Sequence, residues 1–304
     1  MRLCSLFLML VVLRIDAATL GIPDFKVSAV EVLADGFQFT EGPAWNPDGY
    51  WIFSDIPANT IYKYTNNGVK IGSISPSGYA NGNIINAGGQ IISARHNRTM
   101  GITEKGKLIN LATHYGKGKL NSPNDLAFDQ YGNIWFTDPV YGITGNGPEK
   151  AEEEQPVRGV YRFNNDTGRL ERMIDDLINP NGIAFSKDWK QLFVSDSASG
   201  VVYQFAMGDA GHPGPKRFFA KVPPQANHAP RVDGIAVDNE ENLWVTGPRA
   251  IGVFNSAGVP LYRLDFPDAR QLTNIAFGGP EGKSVIVTAA DQVYQFRILK
   301  ETKD

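Results

Sequence analysis

The chain has 304 residues, a formal net charge of -3 at pH 7, 42% hydrophobic and 20% charged residues, 32 Gly, 19 Pro and one Cys. A near-balanced, slightly acidic chain lacks the basic face that phosphate binding needs, so nucleic acid is excluded as a partner. The body of the chain has no apolar run of about 18 or more residues, which excludes spanning helices there, and a single cysteine excludes a disulfide framework or a cysteine-ligated zinc.

At the start, Arg2 gives a basic residue, residues 3–13 are an almost unbroken apolar run, and the small residues Ala17 and Ala18 follow. This pattern predicts a secretory signal peptide over residues 1–17, too short to act as an anchor. It would leave 18–304 as one domain, secreted or periplasmic, and would remove Cys4. The chain would then have no thiol.

Residues 25–33 form a strand-like run with no unit of its own. Beyond it a phrase recurs: Glu41-Gly42-Pro43-Ala44-Trp45, a weaker Asn81-Gly82-Asn83-Ile84-Ile85, Asn124-Asp125-Leu126-Ala127-Phe128, Asn181-Gly182-Ile183-Ala184-Phe185, Asp233-Gly234-Ile235-Ala236-Val237 and Thr273-Asn274-Ile275-Ala276-Phe277. Some ten residues after each comes a run rich in β-branched and aromatic residues, such as Trp51-Ile52-Phe53-Ser54-Asp55, Ile134-Trp135-Phe136-Thr137-Asp138 and Leu192-Phe193-Val194-Ser195-Asp196. Such runs are strands. Third strands are expected at 60–64, 159–163, 201–205 and 292–296, and fourth strands at 107–112, 170–174 and 216–220.

Four short strands repeated six times, at a period in the forties, predict an all-β six-bladed β-propeller with four antiparallel strands per blade. The last unit lacks a fourth strand, so the N-terminal run 25–33 is expected to close blade six. Two other motifs do not hold. The stretch Gly101 to Lys107 has P-loop spacing, but Leu108 stands where a Ser or Thr must bind Mg²⁺, and no G-x-S-x-G elbow occurs.

In a propeller, equivalent positions converge at one mouth of the central channel. The six first positions are Glu41, Asn81, Asn124, Asn181, Asp233 and Thr273, and every one offers a side-chain oxygen. A hard divalent cation such as Ca²⁺ takes six to eight oxygens, whereas zinc or copper would want His or Cys. The four His are not in ligand-spaced pairs, so a calcium site is expected.

Five phrases resemble the gluconolactonase/regucalcin-like family of six-bladed propeller hydrolases: Thr40-Glu41-Gly42-Pro43-Ala44-Trp45, Asn121-Ser122-Pro123-Asn124-Asp125, Phe136-Thr137-Asp138-Pro139-Val140-Tyr141-Gly142, Asn179-Pro180-Asn181-Gly182 and Val232-Asp233-Gly234. The resemblance runs over about residues 39–298. By position it implies Glu41, Asn181 and Asp233 as metal ligands, with Asn124 as a further metal or substrate contact. Ser122 stands where the regucalcin branch carries Arg, as in bacterial-type lactonases, and Ser122 and Tyr141 are further candidates for substrate contact.

The function implied is metal-dependent opening of a sugar lactone such as gluconolactone. Asp233 is the leading candidate for the carboxylate that takes a proton from water. Asp138, at the end of a second strand and before the insertion 139–158, is the alternative base. His96 is a candidate donor to the developing alkoxide. The competing readings are a phosphotriesterase-like propeller hydrolase and a calcium-stabilised binding scaffold without catalysis. The acidic run Glu152 to Glu154 is expected on a solvated face.

Overall fold

The computed structural model describes residues 25–65, 70–222 and 231–300; the expected signal peptide lies outside these. The described chain is almost wholly antiparallel β, the one helical element being the turn Gly142–Asn146. Among the described residues no helix is long and apolar enough to cross a membrane.

Four sheets of four strands follow chain order. Their strands are Ala80–Ile85, Ile91–Arg95, Thr99–Glu104 and Lys107–Ala112; then Leu126–Phe128, Ile134–Thr137, Val160–Phe163 and Leu170–Ile174; then Pro180–Phe185, Gln191–Asp196, Val201–Ala206 and Arg217–Ala220; then Ile235–Val237, Leu243–Thr246, Ala250–Phe254 and Pro260–Asp265. A larger sheet unites the two ends of the chain. Within it, Glu31–Asn46 pairs first with Ser284–Lys300, through Glu31 opposite Gln295, and then with Tyr50–Asp55, through Trp45 opposite Trp51. Phe25–Val27 pairs with the end of Ser284–Lys300, so N-terminal strands lie beside the C-terminal one. This is the pairing expected of the run 25–33.

The second strands carry continuous apolar runs because both their faces are covered. Ile134–Thr137 is buried at every residue. Trp135 and Trp244 are fully buried, and each indole N–H donates to a carboxylate in the preceding turn, Asp129 Oδ2 at 3.1 Å and Asp238 Oδ2 at 2.9 Å. That satisfies the one polar atom of a large apolar side chain.

The core lies between neighbouring sheets. Met100 and Ile92 pack with Ile134 and Phe136; Trp135 and Val160 pack with Leu192 and Val194; Phe193 and Val202 with Val237 and Val245; Trp244 and Ile251 with Ile275 and Val287. Phe53 and Trp51 meet Ile286 and Val293, and Ile52 and Ile61 meet Ala80.

Hydroxyls at the ends of second strands stitch these sheets together. Ser54 Oγ donates to Asn81 O at 2.9 Å, Thr137 Oγ1 to Asn181 O at 2.6 Å, Ser195 Oγ to Asp233 O at 2.6 Å and Thr246 Oγ1 to Thr273 O at 3.1 Å. Thr273 Oγ1 then donates to Thr40 O at 2.8 Å. Each acceptor belongs to the phrase that opens the next unit, or in Thr40 to the residue just before one. The approach is close enough to require glycine: a Cβ on Gly42, whose φ is +50°, would sit 1.9 Å from Asn81 O, and one on Gly234 would sit 2.0 Å from Asn274 Oδ1. Repeated Glu-Gly, Asn-Gly and Asp-Gly pairs therefore reflect packing of first strands against one another.

Candidate active site

Three aspartates at or just past the ends of second strands hold the backbone that leads to the cavity residues. Asp55 accepts from Gln38 N and Phe39 N, both at 3.0 Å. Asp138 Oδ2 accepts from Asn121 N at 2.8 Å, and Asp196 from Ile178 N at 2.8 Å and Asn179 N at 3.1 Å. Each clamp ends just before Glu41, Asn124 or Asn181. These carboxylates place the opening residues of three units by fixing the backbone ahead of them.

The result is one cavity lined by Glu41, Asn124, Asn181 and Asp233 together with Asn81, His96 and Tyr141. Phe39, Ile56, Asn146 and Arg231 complete its wall. Glu41 and Asp233 are buried, 3% and 4% exposed. Burial first, and then the charge of Asp233, pushes the Glu41 carboxyl well above the usual carboxylate range, although Gly42 N donates to its Oε2 at 2.9 Å. Burial raises Asp233 to about 6, against the pull of Arg231, Asn181 and Gln271. Arg231 Nη2 lies 3.8 Å from Asp233 Oδ2, and Gln271 Nε2 donates to the same oxygen at 3.4 Å.

Two desolvated carboxylates side by side repel unless a proton or a cation sits with them. The donors are all oxygen: two carboxylates and two carboxamides, a set suited to a hard cation. Among the described residues no three His, Cys, Asp or Glu side chains are grouped to hold a metal ion, so a cation here must draw on the amide oxygens of Asn124 and Asn181.

Other expected residues are placed differently. Asp138 is fully buried and does not line the cavity. Burial raises it to about 7 while the backbone N–H groups of Asn121 and Ser122 hold it down; it clamps the loop ahead of Asn124, away from the lining of the cavity. Ser122 is fully buried too, its Oγ donating to Pro139 O at 2.6 Å and accepting from Gly142 N at 3.0 Å. It ties down the segment that carries Tyr141 and does not line the cavity. Thr273, in the ring of oxygen-bearing first positions, spends its hydroxyl on Thr40 O and Thr288 Oγ1.

His96 does reach the cavity, but both ring nitrogens are engaged. Nδ1 lies 2.8 Å from Asn146 O, which can only accept, so Nδ1 carries the proton. Nε2 lies 2.9 Å from Asn81 Nδ2 and takes its hydrogen bond. Burial lowers the imidazole to about 4. In this arrangement the one N–H of the neutral ring is bound to a carbonyl, which leaves none to offer an alkoxide. Tyr141 stands in the wall, with the Arg231 guanidinium 5.7 Å from its ring centroid. Sequence reasoning missed Arg231 and Gln271, which both stand two residues before the first position of their units, a register whose residue type changes from unit to unit. The acidic run is exposed as expected, Glu153 pairing with Arg158 at 2.7 Å and Glu154 with Arg98 at 3.0 Å.

The family described as SMP-30/Gluconolactonase/LRE-like region matches residues 39–291. The gluconolactonase of Zymomonas mobilis is 33% identical over 293 residues, spanning 88% of this chain and 81% of that one. The structure of a gluconolactonase from Xanthomonas campestris superposes with a TM-score of 0.83 at 27% identity, covering 93% of this chain and 97% of that one. Regucalcin from Agrobacterium tumefaciens, at 19% identity and a TM-score of 0.74, covers 90% and 95% and shares the fold. With its family match spanning most of its length and a relative this similar over four-fifths of that relative's chain, the protein belongs to the SMP-30/gluconolactonase/LRE-like family.

Proposed function

We propose that this protein is a calcium-dependent hydrolase of sugar lactones such as gluconolactone. One observation carries the reading: Glu41, Asn124, Asn181 and Asp233, drawn from four separate repeats, meet at one buried cavity. The gluconolactonases of Zymomonas and Xanthomonas among its relatives support the substrate class. We read the architecture as one domain, residues 18–304, forming a six-bladed β-propeller. Six repeats, and a chain of inter-sheet contacts that returns from Thr273 to Thr40, support that count. The basic and apolar start of the chain supports export by a leader over residues 1–17.

Glu41, Asn124, Asn181 and Asp233 would hold Ca²⁺, which when bound polarises the lactone carbonyl and stabilises charge developing on its oxygen. Asp233 has the properties of a general base. It is a carboxylate on the cavity wall, and Arg231 and Gln271 both engage its Oδ2. Water adds through oxygen to the carbonyl carbon while its proton passes to Asp233. The ring C–O bond then breaks, the departing oxygen takes that proton back, and an open hydroxy acid leaves. Phe39 and Ile56 supply apolar wall that keeps bulk water from the carboxylates.

Acid release from gluconolactone, followed with a pH indicator, tests this. Wild type is expected to turn the lactone over with Ca²⁺ present, and Asp233→Asn to be about 10²–10⁴-fold slower while remaining folded. Failure of wild type on every sugar and aliphatic lactone would remove the reading.

A further inference from the structure

We propose that His96 is a positioning residue that orients the Asn81 carboxamide, and that Asn81 Oδ1 is a specificity element accepting a hydrogen bond from a hydroxyl of the lactone. The inference rests on the lactone-hydrolase reading and deepens it.

The orientation follows from the acceptors. Asn146 O at 2.8 Å forces the proton onto His96 Nδ1, which leaves Nε2 a bare lone pair. Only the NH₂ side of Asn81 can face that lone pair at 2.9 Å. The flipped amide would set oxygen against nitrogen with no proton between them. Asn81 Oδ1 is therefore committed to the other direction. It is buried and has no hydrogen-bond partner, on a residue 2% exposed that lines the cavity. Leaving a buried acceptor unpaired is costly, of the order of 1–3 kcal/mol. An acceptor held that way in a site is matched to a donor that arrives with the ligand.

A hydroxyl suits it better than the cation. Asp233 is met by Gln271 and Arg231, and Glu41 by the backbone N–H of Gly42. Asn81 is instead anchored through His96 to the turn Gly142–Asn146, the segment that carries Tyr141. The two sides of the cavity thus differ in chemistry. One is anionic, and the other presents a neutral acceptor suited to a polyol.

The test compares D-glucono-δ-lactone with δ-valerolactone, which has the same ring and no hydroxyls, in wild type, Asn81→Ala, His96→Leu and His96→Gln. Asn81→Ala and His96→Leu should cut the preference for the hydroxylated lactone, as the ratio of the two kcat/KM values, by about tenfold, mainly through KM. His96→Gln, which can present an amide oxygen where Nε2 stood, should restore most of that preference. A parallel loss on both lactones in Asn81→Ala, or a loss confined to kcat, would overturn the proposal. Should His96→Leu fail to fold, Asn81→Ala decides the matter alone. If wild type hydrolyses neither lactone, the failure lies with the lactone-hydrolase reading. The ¹⁵N shifts of His96 still decide the orientation: a protonated Nδ1 and bare Nε2 at pH 6 support it, and a protonated Nε2 overturns it.

Discussion

Asn274 Nδ2 donates to Asp125 Oδ2 at 3.4 Å, joining residues 149 positions apart in the chain. Both stand where other units carry Gly42, Gly82, Gly182 or Gly234, so two side chains fill the crowded meeting place of the first strands that the glycines leave open. Burial raises Asp125 to about 7, and its hydrogen bonds to Leu126 N and Asn274 hold it down.

A pH dependence follows for the cation-free protein. Asp125 and Asp138 are both raised to about 7 from 3.8, so the folded state keeps protons that the unfolded chain releases near pH 4. Their contribution is fully favourable below that pH and is lost as pH rises through about 7. Urea midpoints in chelator should fall from pH 5 to pH 7. Asp125→Asn should reduce the slope by up to one proton, about 1.4 kcal/mol per pH unit. A slope identical to wild type would contradict the assignment.

Asp138 and Asp233 should separate cleanly in mutagenesis. Asp138→Asn leaves the cavity wall intact and disturbs a clamp on Asn121, so its main expected effect is on stability, about 1–3 kcal/mol, with less than tenfold loss of rate. A loss on the scale expected for Asp233→Asn would return Asp138 to the chemistry.

The stitching hydroxyls predict a stability effect outside the cavity. Ser195 Oγ donates to Asp233 O at 2.6 Å and accepts from Gly182 N at 2.8 Å. Ser195→Ala leaves both backbone groups buried without that partner, and chemical denaturation should show a loss of about 1–3 kcal/mol. Thermal and chemical midpoints equal to wild type would mean that the neighbouring strands are held by packing alone.

Gly42→Ala tests the close approach of first strands. The added methyl would lie 1.9 Å from Asn81 O at a φ of +50°, and backbone, unlike a side chain, cannot swing away. Destabilisation of about 3 kcal/mol or more, or no soluble protein, is expected. Retention of wild-type stability would show that the two sheets can part at little cost.

Glu41, Asn124, Asn181 and Asp233 were legible because the repeat puts them at one register and the family phrases mark the same positions. The strands were legible from their apolar runs, since covered second strands leave long hydrophobic stretches. Asp138 and Ser122 stand inside those phrases but do not line the cavity. Their hydrogen bonds turn back to a loop, a direction that spacing does not encode. His96 was legible as a cavity residue, but its tautomer was not, because it depends on Asn146, fifty residues away. Arg231 is two residues from Asp233 and Gln271 holds the same register in the next unit, but that register carries Phe39, Tyr79, Ser122 and Asn179 elsewhere, so residue type gave no signal, and it is the fold that brings Gln271 to Asp233.

The most direct test of the central claim is the initial rate of gluconolactone hydrolysis by chelator-stripped protein, with metal content measured, titrated back with Ca²⁺. A loss of at least tenfold on stripping, recovered as Ca²⁺ rebinds in wild type but not in Asp233→Asn, is the predicted result. An undiminished rate in protein shown to be metal-free would contradict it.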